Sequence, residues 1–168
     1  KRFLPRLAKN LLGSFCLSEA GSGSDAFAMK SIAKRKEGSD GGWILEGTKL
    51  WVSNAREAGL FIVFANANRE AGYKGITAFL VDRDVAESRL VVGKKEDKLG
   101  IRASSTCEVQ LDGVEVGAQD VLGGVGTGYK IAIGVLNEGR VGIGAQMVGL
   151  AQGAMRAALS HCYTRRQF

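Results

Sequence analysis

Until about residue 125 the chain sets short apolar runs between polar, glycine-bearing breaks; beyond it the apolar spacing lengthens. Leu60-Phe-Ile-Val-Phe-Ala65 and residues 76–81, rich in Ile, Val and Phe, predict the two strongest strands. The polar segment between them, residues 66–75, carries Tyr73 and reads as a loop. Residues 29–36 predict a shorter strand, closed by the small, flexible residues of Gly38-Ser-Asp-Gly-Gly42. Residues 43–46 and 49–53 follow as two strands parted by Gly47. Residues 107–111 and 114–116 flank Asp112-Gly113, a pair that supplies the positive φ angles of a tight turn, and so predict a hairpin. Strands at this spacing, without crossover helices, predict a barrel or sandwich rather than a parallel α/β sheet.

Past Gly123-Gly-Val-Gly-Thr-Gly128, apolar residues recur at helical intervals or their near multiples: Ile131, Val135, Ile143, Met147, Leu150, Ala154 and Ala158. Asn137-Glu-Gly-Arg140 predicts a break, since Asn can cap a new helix and Gly weakens the old one. The expectation is a short helix from about residue 128 and a long one from about residue 139 to the end. Gly142, Gly144, Gly149 and Gly153 would let another helix approach closely, as in a bundle. The apolar stripe needs partner helices that the sequence does not contain. Phe168 falls inside the helical pattern, and Lys1-Arg-Phe-Leu-Pro-Arg-Leu-Ala8 reads like the tail of an earlier helix, so the chain reads as truncated at both ends.

Composition narrows the chemistry. The 168 residues suffice for one domain with a core, or one domain plus an appendage. The formal charge of +6 is scattered, with no arginine-rich arm and no basic stripe interleaved with aromatics. A solvated basic surface or a phosphate site fits this better than nucleic-acid binding. The longest apolar run, residues 60–65, is far short of the ~20 residues of a membrane span. Cys16, Cys107 and Cys162 are odd in number and widely spaced, suggesting neither a disulfide framework nor zinc, and a reducing compartment fits. His161 alone cannot build a metal site or supply a triad, and reads as a helix-surface residue. The N-terminus has no secretory or transit pattern.

In Phe15-Cys-Leu-Ser-Glu-Ala-Gly-Ser-Gly-Ser-Asp25 an apolar strand end runs into a loop of Gly and Ser. Such a loop can turn backbone N–H groups onto an anion, with the hydroxyls of Ser22 and Ser24 as further donors, or it can be a plain flexible turn. It lacks the lysine of a P-loop and the following helix of a dinucleotide fold. This string closely resembles the first signature of the acyl-CoA dehydrogenases, (C)(L/V)(S/T)E-x-G-(A/S)-G-S-D. Lys49-Leu-Trp-Val-Ser-Asn54 resembles the family's K-x-W-(I/V)-(S/T)-N strand. Asn137-Glu-Gly-Arg140, after Gly126-Thr-Gly-Tyr-Lys130, is a third match, and Arg165-Arg-Gln-Phe168 resembles the start of an R-x-x-F-G segment. The four occur in family order and span essentially the whole chain. Leu99-Gly-Ile-Arg-Ala-Ser-Ser-Thr106 and Leu136-Asn-Glu-Gly-Arg140 point to the short/branched-chain members.

The resemblance implies an antiparallel β-barrel or sandwich middle domain over residues 15–125. Residues 1–14 would end an N-terminal helical domain, and residues 126–168 would supply the first helices of a C-terminal bundle. It implies FAD as cofactor. Phe15, Cys16, Leu17, Ser18, Gly23 and Ser24 would line the flavin, with Ser18 near its pyrimidine side. Trp51, Val52 and Ser53 would flank the ring, where a bulky aromatic excludes water and packs on a flat surface; the plain alternative for Trp51 is a core residue. Ser24, Tyr73, Tyr129, Asn137, Glu138, Gly139 and Arg140 would contact acyl-CoA. Without the resemblance, Tyr73 reads as a surface tyrosine and Tyr129 as core packing. Arg165 would reach the FAD phosphates of a neighbouring subunit, a bidentate role suited to guanidinium, whereas an Arg near a chain end is otherwise a solvated residue.

The implied reaction is α,β-desaturation of a short or branched acyl-CoA, with electrons passed to an electron-transfer flavoprotein. The base is expected beyond Phe168, because the alternative position before Arg140 holds Gly139, and Glu138 lies about 100° away around a helix. The isolated segment would then be inactive. An acyl-CoA oxidase-type relative and a non-catalytic FAD- or CoA-binding fragment are the other readings. The parent is expected to be a dimer of dimers, in the mitochondrial matrix or a bacterial cytoplasm.

Overall fold

Strand pairing organises the first part of the chain. In the computed structural model, which describes residues 2–38 and 41–168, eight strands among the described residues form one sheet. They are β1 (Gly13–Cys16), β2 (Ile32–Arg35), β3 (Trp43–Ser53), β4 (Leu60–Asn66), β5 (Ile76–Asp82), β6 (Leu90–Lys95), β7 (Thr106–Val116) and β8 (Val121–Leu122). The order across the sheet is β6-β7-β3-β2-β4-β5-β8, with β1 beside β4. Pairing is antiparallel except along β1/β4 and at the Ile32–Asn66 contact between β2 and β4. Trp43 of β3 meets Phe79 of β5 edge-on, with ring centroids 5.6 Å apart. Leu45, Phe61, Val63, Val81, Val109 and Val114 are buried in the same cluster, so the sheet curls around one core. Lys1 lies outside the described residues, as do Ser39 and Asp40 of the turn expected at 38–42.

The strands at residues 60–65 and 76–81 stand where the apolar runs put them. The hairpin expected around Asp112-Gly113 does not form. Gly113 does take positive φ, at 65°, but as the extra residue of a bulge: Leu45 pairs with Val114 and Glu46 with Asp112. β7 therefore continues along β3, because the same positive φ that closes a turn also accommodates a bulge. Gly47 likewise does not divide β3, which runs unbroken from Trp43 to Ser53. The strand expected at 29–36 shortens to β2, β1 stands where the apolar strand end was read at Phe15, and β6 and β8 add pairings that the apolar runs did not announce.

Helix α1 (Leu4–Leu7) precedes the sheet, α2 (Arg83–Ala86) follows β5, and α3 spans Gly128–Thr164. The break expected at Asn137-Glu-Gly-Arg140 is absent. Asn137 caps nothing there: its side-chain oxygen accepts a 2.9 Å hydrogen bond from Arg140 Nη1, one turn on. A glycine interior to a helix costs about 1 kcal/mol, too little to interrupt a long one. The helix ends at Thr164, whose hydroxyl turns back to the carbonyls of Ser160 and His161, rather than at the chain end. Two compact units result, Lys1–Ile131 and Ala132–Phe168. The second is a helix that leaves Val141, Ile143, Val148, Leu150 and Met155 exposed. No helix among the described residues is long and apolar enough to cross a membrane.

Candidate functional site

The Gly-Ser loop and the Trp51 segment, some thirty residues apart in sequence, are fastened together. β1 delivers the chain to Leu17, and the Leu50 amide donates to the Ser18 carbonyl at 2.8 Å. Ser14 Oγ donates to the Ser53 carbonyl at 2.7 Å. Lys49, fully buried, donates from Nζ to Glu19 Oε1 at 2.7 Å and to the Leu17 carbonyl at 3.2 Å. Glu19, also buried, accepts from the Lys30 amide at 2.6 Å and the Ser31 amide at 3.1 Å.

Within the loop, Glu19 and Ser22 exchange backbone hydrogen bonds across a tight turn. Gly21, Gly23 and Ser24 are exposed on its outside, and a Cβ at Gly21 or Gly23 would meet nothing within 4 Å. Ser22 is not the outward donor its spacing suggested. It is buried and donates to the Asp25 carbonyl at 2.9 Å, because the turn directs it inward.

Beside the loop, β3 carries one extra residue against β7 between Lys49 and Val52. Trp51 sits in that bulge with φ 59° and is 64% exposed, so it is not the plain core residue it could have been. A left-handed backbone costs a non-glycine residue about 1–2 kcal/mol, and an exposed indole returns little burial. The bulge is braced on its far side as well. The Asn54 amide donates to the Ser105 carbonyl at 2.9 Å, and Ser104 Oγ donates to Asn54 Oδ1 at 3.1 Å.

The other expected residues divide by position. Phe15 and Ser18 are half-buried, and Ser53 is exposed. Cys16, Leu17 and Val52 are buried, so a ligand could meet them mainly through their backbone. Burial pushes the Cys16 thiol up to about 12, with neighbouring Lys49 acting in the opposite direction. Tyr73 is exposed on the 3₁₀ turn Arg69–Gly75. Its ring lies 4.8 Å from that of Tyr129, which opens α3 and in turn lies 4.4 Å from Phe27. The helix start can come this close because Gly128 has no Cβ; one would stand 2.9 Å from the Ile76 carbonyl oxygen. Asn137, Glu138, Gly139 and Arg140 are exposed on α3 in the second unit, and Arg165 follows the helix end.

The buried ion pair is the feature that the motif matches did not assign, although both members lie inside quoted motifs. A signal was available: Lys49 shares the inward phase of Trp43 and Leu45 along β3. Burial is the largest influence on both groups, pushing the Glu19 carboxyl up and the Lys49 ammonium down. For Glu19 the Lys49 hydrogen bond and charge, helped by Lys30 and Ser31, outweigh burial and hold it below the usual carboxylate value. Lys49 remains below the usual lysine value. Stabilisation from a depressed carboxylate is complete above its unfolded pKa and is lost as pH falls through the folded one. Glu19→Gln should therefore flatten the acid limb of stability, read from urea melts between about pH 7 and about pH 3. An unchanged limb would assign acid lability to other carboxylates.

Comparison with known proteins bears on both units. The family model for the acyl-CoA dehydrogenase middle domain matches residues 14–114, and that for the acyl-CoA dehydrogenase C-terminal domain matches residues 126–168. The chain is 58% identical over its full length to a probable short/branched chain specific acyl-CoA dehydrogenase of Dictyostelium discoideum, spanning 40% of that protein. It is 52% identical, over 99% of its length, to the mitochondrial short/branched chain specific acyl-CoA dehydrogenase of Rattus norvegicus, spanning 37% of it. Among solved structures, butyryl-CoA dehydrogenase from Megasphaera elsdenii superposes with a TM-score of 0.89 at 38% identity, covering 99% of this chain and 43% of that one. An acyl-CoA dehydrogenase complexed with FAD from Bacillus anthracis gives a TM-score of 0.85 at 34% identity, covering 100% and 28%.

Proposed function

This chain belongs to the acyl-CoA dehydrogenase family, and on that premise we propose that it contributes the flavin site, and part of the thioester site, of an enzyme that desaturates short or branched-chain acyl-CoA at the α,β bond. The observation that carries the reading is the exposed Trp51, held at positive φ beside a loop whose outer residues are Gly21, Gly23 and Ser24. A strained, solvent-facing indole next to an exposed Gly- and Ser-lined backbone fits a flat ring with polar edges better than it fits any packing role.

The residues present fit FAD in their donor chemistry. Ser18, Gly23, Ser24 and Ser53 would hold it by backbone and hydroxyl groups, with Phe15 and Trp51 as apolar walls and Cys16, Leu17 and Val52 contributing main chain. The chemistry supplied there by bound FAD is acceptance of a hydride from the substrate β-carbon. Trp51 would keep water from that position. Tyr73 and Tyr129, already paired, would seat the thioester beside Ser24, and Asn137, Glu138, Gly139 and Arg140 would contact CoA. Arg165 would serve FAD phosphates on a neighbouring subunit. These roles make residues 15–125 the flavin and acyl-CoA domain, residues 1–14 the end of a preceding helical domain, and residues 126–168 the start of a helical bundle whose apolar face partner helices would cover.

No carboxylate of this chain is assigned as the base. Gly139 has no side chain, and on the unbroken helix Glu138 points about 100° away from it. Glu138→Gln in the intact protein should leave the first-order rate of flavin reduction within about threefold of the parent, measured by stopped flow. A loss of several orders of magnitude would place the base at Glu138. The mitochondrial relatives support a matrix location, and the family resemblance supports a dimer of dimers that passes electrons to an electron-transfer flavoprotein. The test is anaerobic addition of short straight and branched acyl-CoA to the FAD-loaded intact protein. Bleaching of the flavin band, reversed by electron-transfer flavoprotein, is the expected result. Reversal by oxygen with peroxide release would favour an oxidase, and no bleaching would favour a binding role.

A further inference from the structure

We propose that Glu19 and Lys49 are positioning residues for the flavin site: their buried ion pair clamps the Gly-Ser loop to the strand that presents Trp51. The proposal rests on the flavin reading above. Fold stability alone does not account for the pair. Removing two charges from water is costly, and replacing a buried pair with apolar residues of similar volume is often neutral or stabilising. What the pair adds is register between segments. Lys49 Nζ bonds to the loop at Leu17 and Glu19, while Glu19 also gathers the amides of Lys30 and Ser31 where the chain leaves it.

Lys49 is also the last paired residue before the bulge, two positions ahead of Trp51. A backbone held in the left-handed region persists only where its surroundings over-determine it. The clamp holds the near side of the bulge, and the Asn54 bonds to Ser104 and Ser105 hold the far side. The height of the indole relative to the loop is thereby set by the ion pair acting with the Leu50–Ser18 and Ser14–Ser53 bonds, as a ligand-binding constellation requires.

The discriminating experiment compares the intact protein with Glu19→Gln/Lys49→Met, which removes both charges at nearly constant volume. The readouts are the apoprotein melting temperature, the affinity for added FAD, and the fine structure of the bound-flavin band. Expected is a melting temperature within a few degrees of the parent, with FAD affinity lower by about tenfold or more and a blurred band. A double variant that binds FAD with parental affinity and spectrum would overturn the proposal and leave the pair a packing element. Should that variant not fold, Glu19→Asp applies the same test, because it keeps the charge but withdraws the carboxylate by one methylene. Weakened FAD binding in the folded variant supports the clamp, and parental binding overturns it. A folded parent that retains no FAD would instead overturn the flavin reading itself.

Discussion

Lys49→Met should destabilise the fold by about 3 kcal/mol, read as a shift in urea midpoint at neutral pH. Methionine fills nearly the same volume, so the loss isolates the charge. It leaves the Glu19 carboxylate buried with two backbone donors and no counter-ion, since the Lys30 and Ser31 amides remain in place. Those amides are why the expected loss stands at the lower end of what breaking a buried pair costs. Glu19 should also titrate higher once the Lys49 charge is gone, since burial then acts against fewer opposing partners. A midpoint within about 0.5 kcal/mol of the parent would mean that water reaches the pair in solution.

Trp51→Gly should separate stability from ligand retention. Glycine adopts φ near 60° freely, so strain of about 1–2 kcal/mol is relieved. Against this stand the entropy of an added glycine, about 0.5–1 kcal/mol, and the burial of the minor part of the indole that is covered. The net change in fold stability should lie within about 1 kcal/mol of zero. FAD affinity should fall by about tenfold or more, since the apolar wall beside the ring is gone. Loss of stability with parental FAD affinity would make Trp51 a structural residue and remove it from the site.

The parts of this architecture that the sequence announced are those that rest on local chemistry. The Ile-, Val- and Phe-rich runs at 60–65 and 76–81 have the length and composition of buried strands, and β4 and β5 are found there. The Gly-Ser string and the Lys49–Asn54 string marked the two segments that meet at the site. The features that escaped depend on partners distant in sequence. Asp112-Gly113 has the same chemistry in a turn and in a bulge, and only the neighbouring strand β3 decides between them. Asn137 can cap a helix or bond within one, and the side chain of Arg140 selects the second. The exposure of Trp51 follows from a one-residue offset against β7, which no periodicity within β3 reveals. The inward phase of Lys49 was readable, but its partner Glu19 becomes visible only once the loop is folded back onto the strand.

A flavin site built from the 15–24 loop and the Trp51 strand can be read from the visible absorption spectrum of the intact protein after FAD is added and free flavin removed. A retained flavin band with resolved fine structure is the expected result. A protein that is folded by circular dichroism yet colourless after this treatment would contradict it.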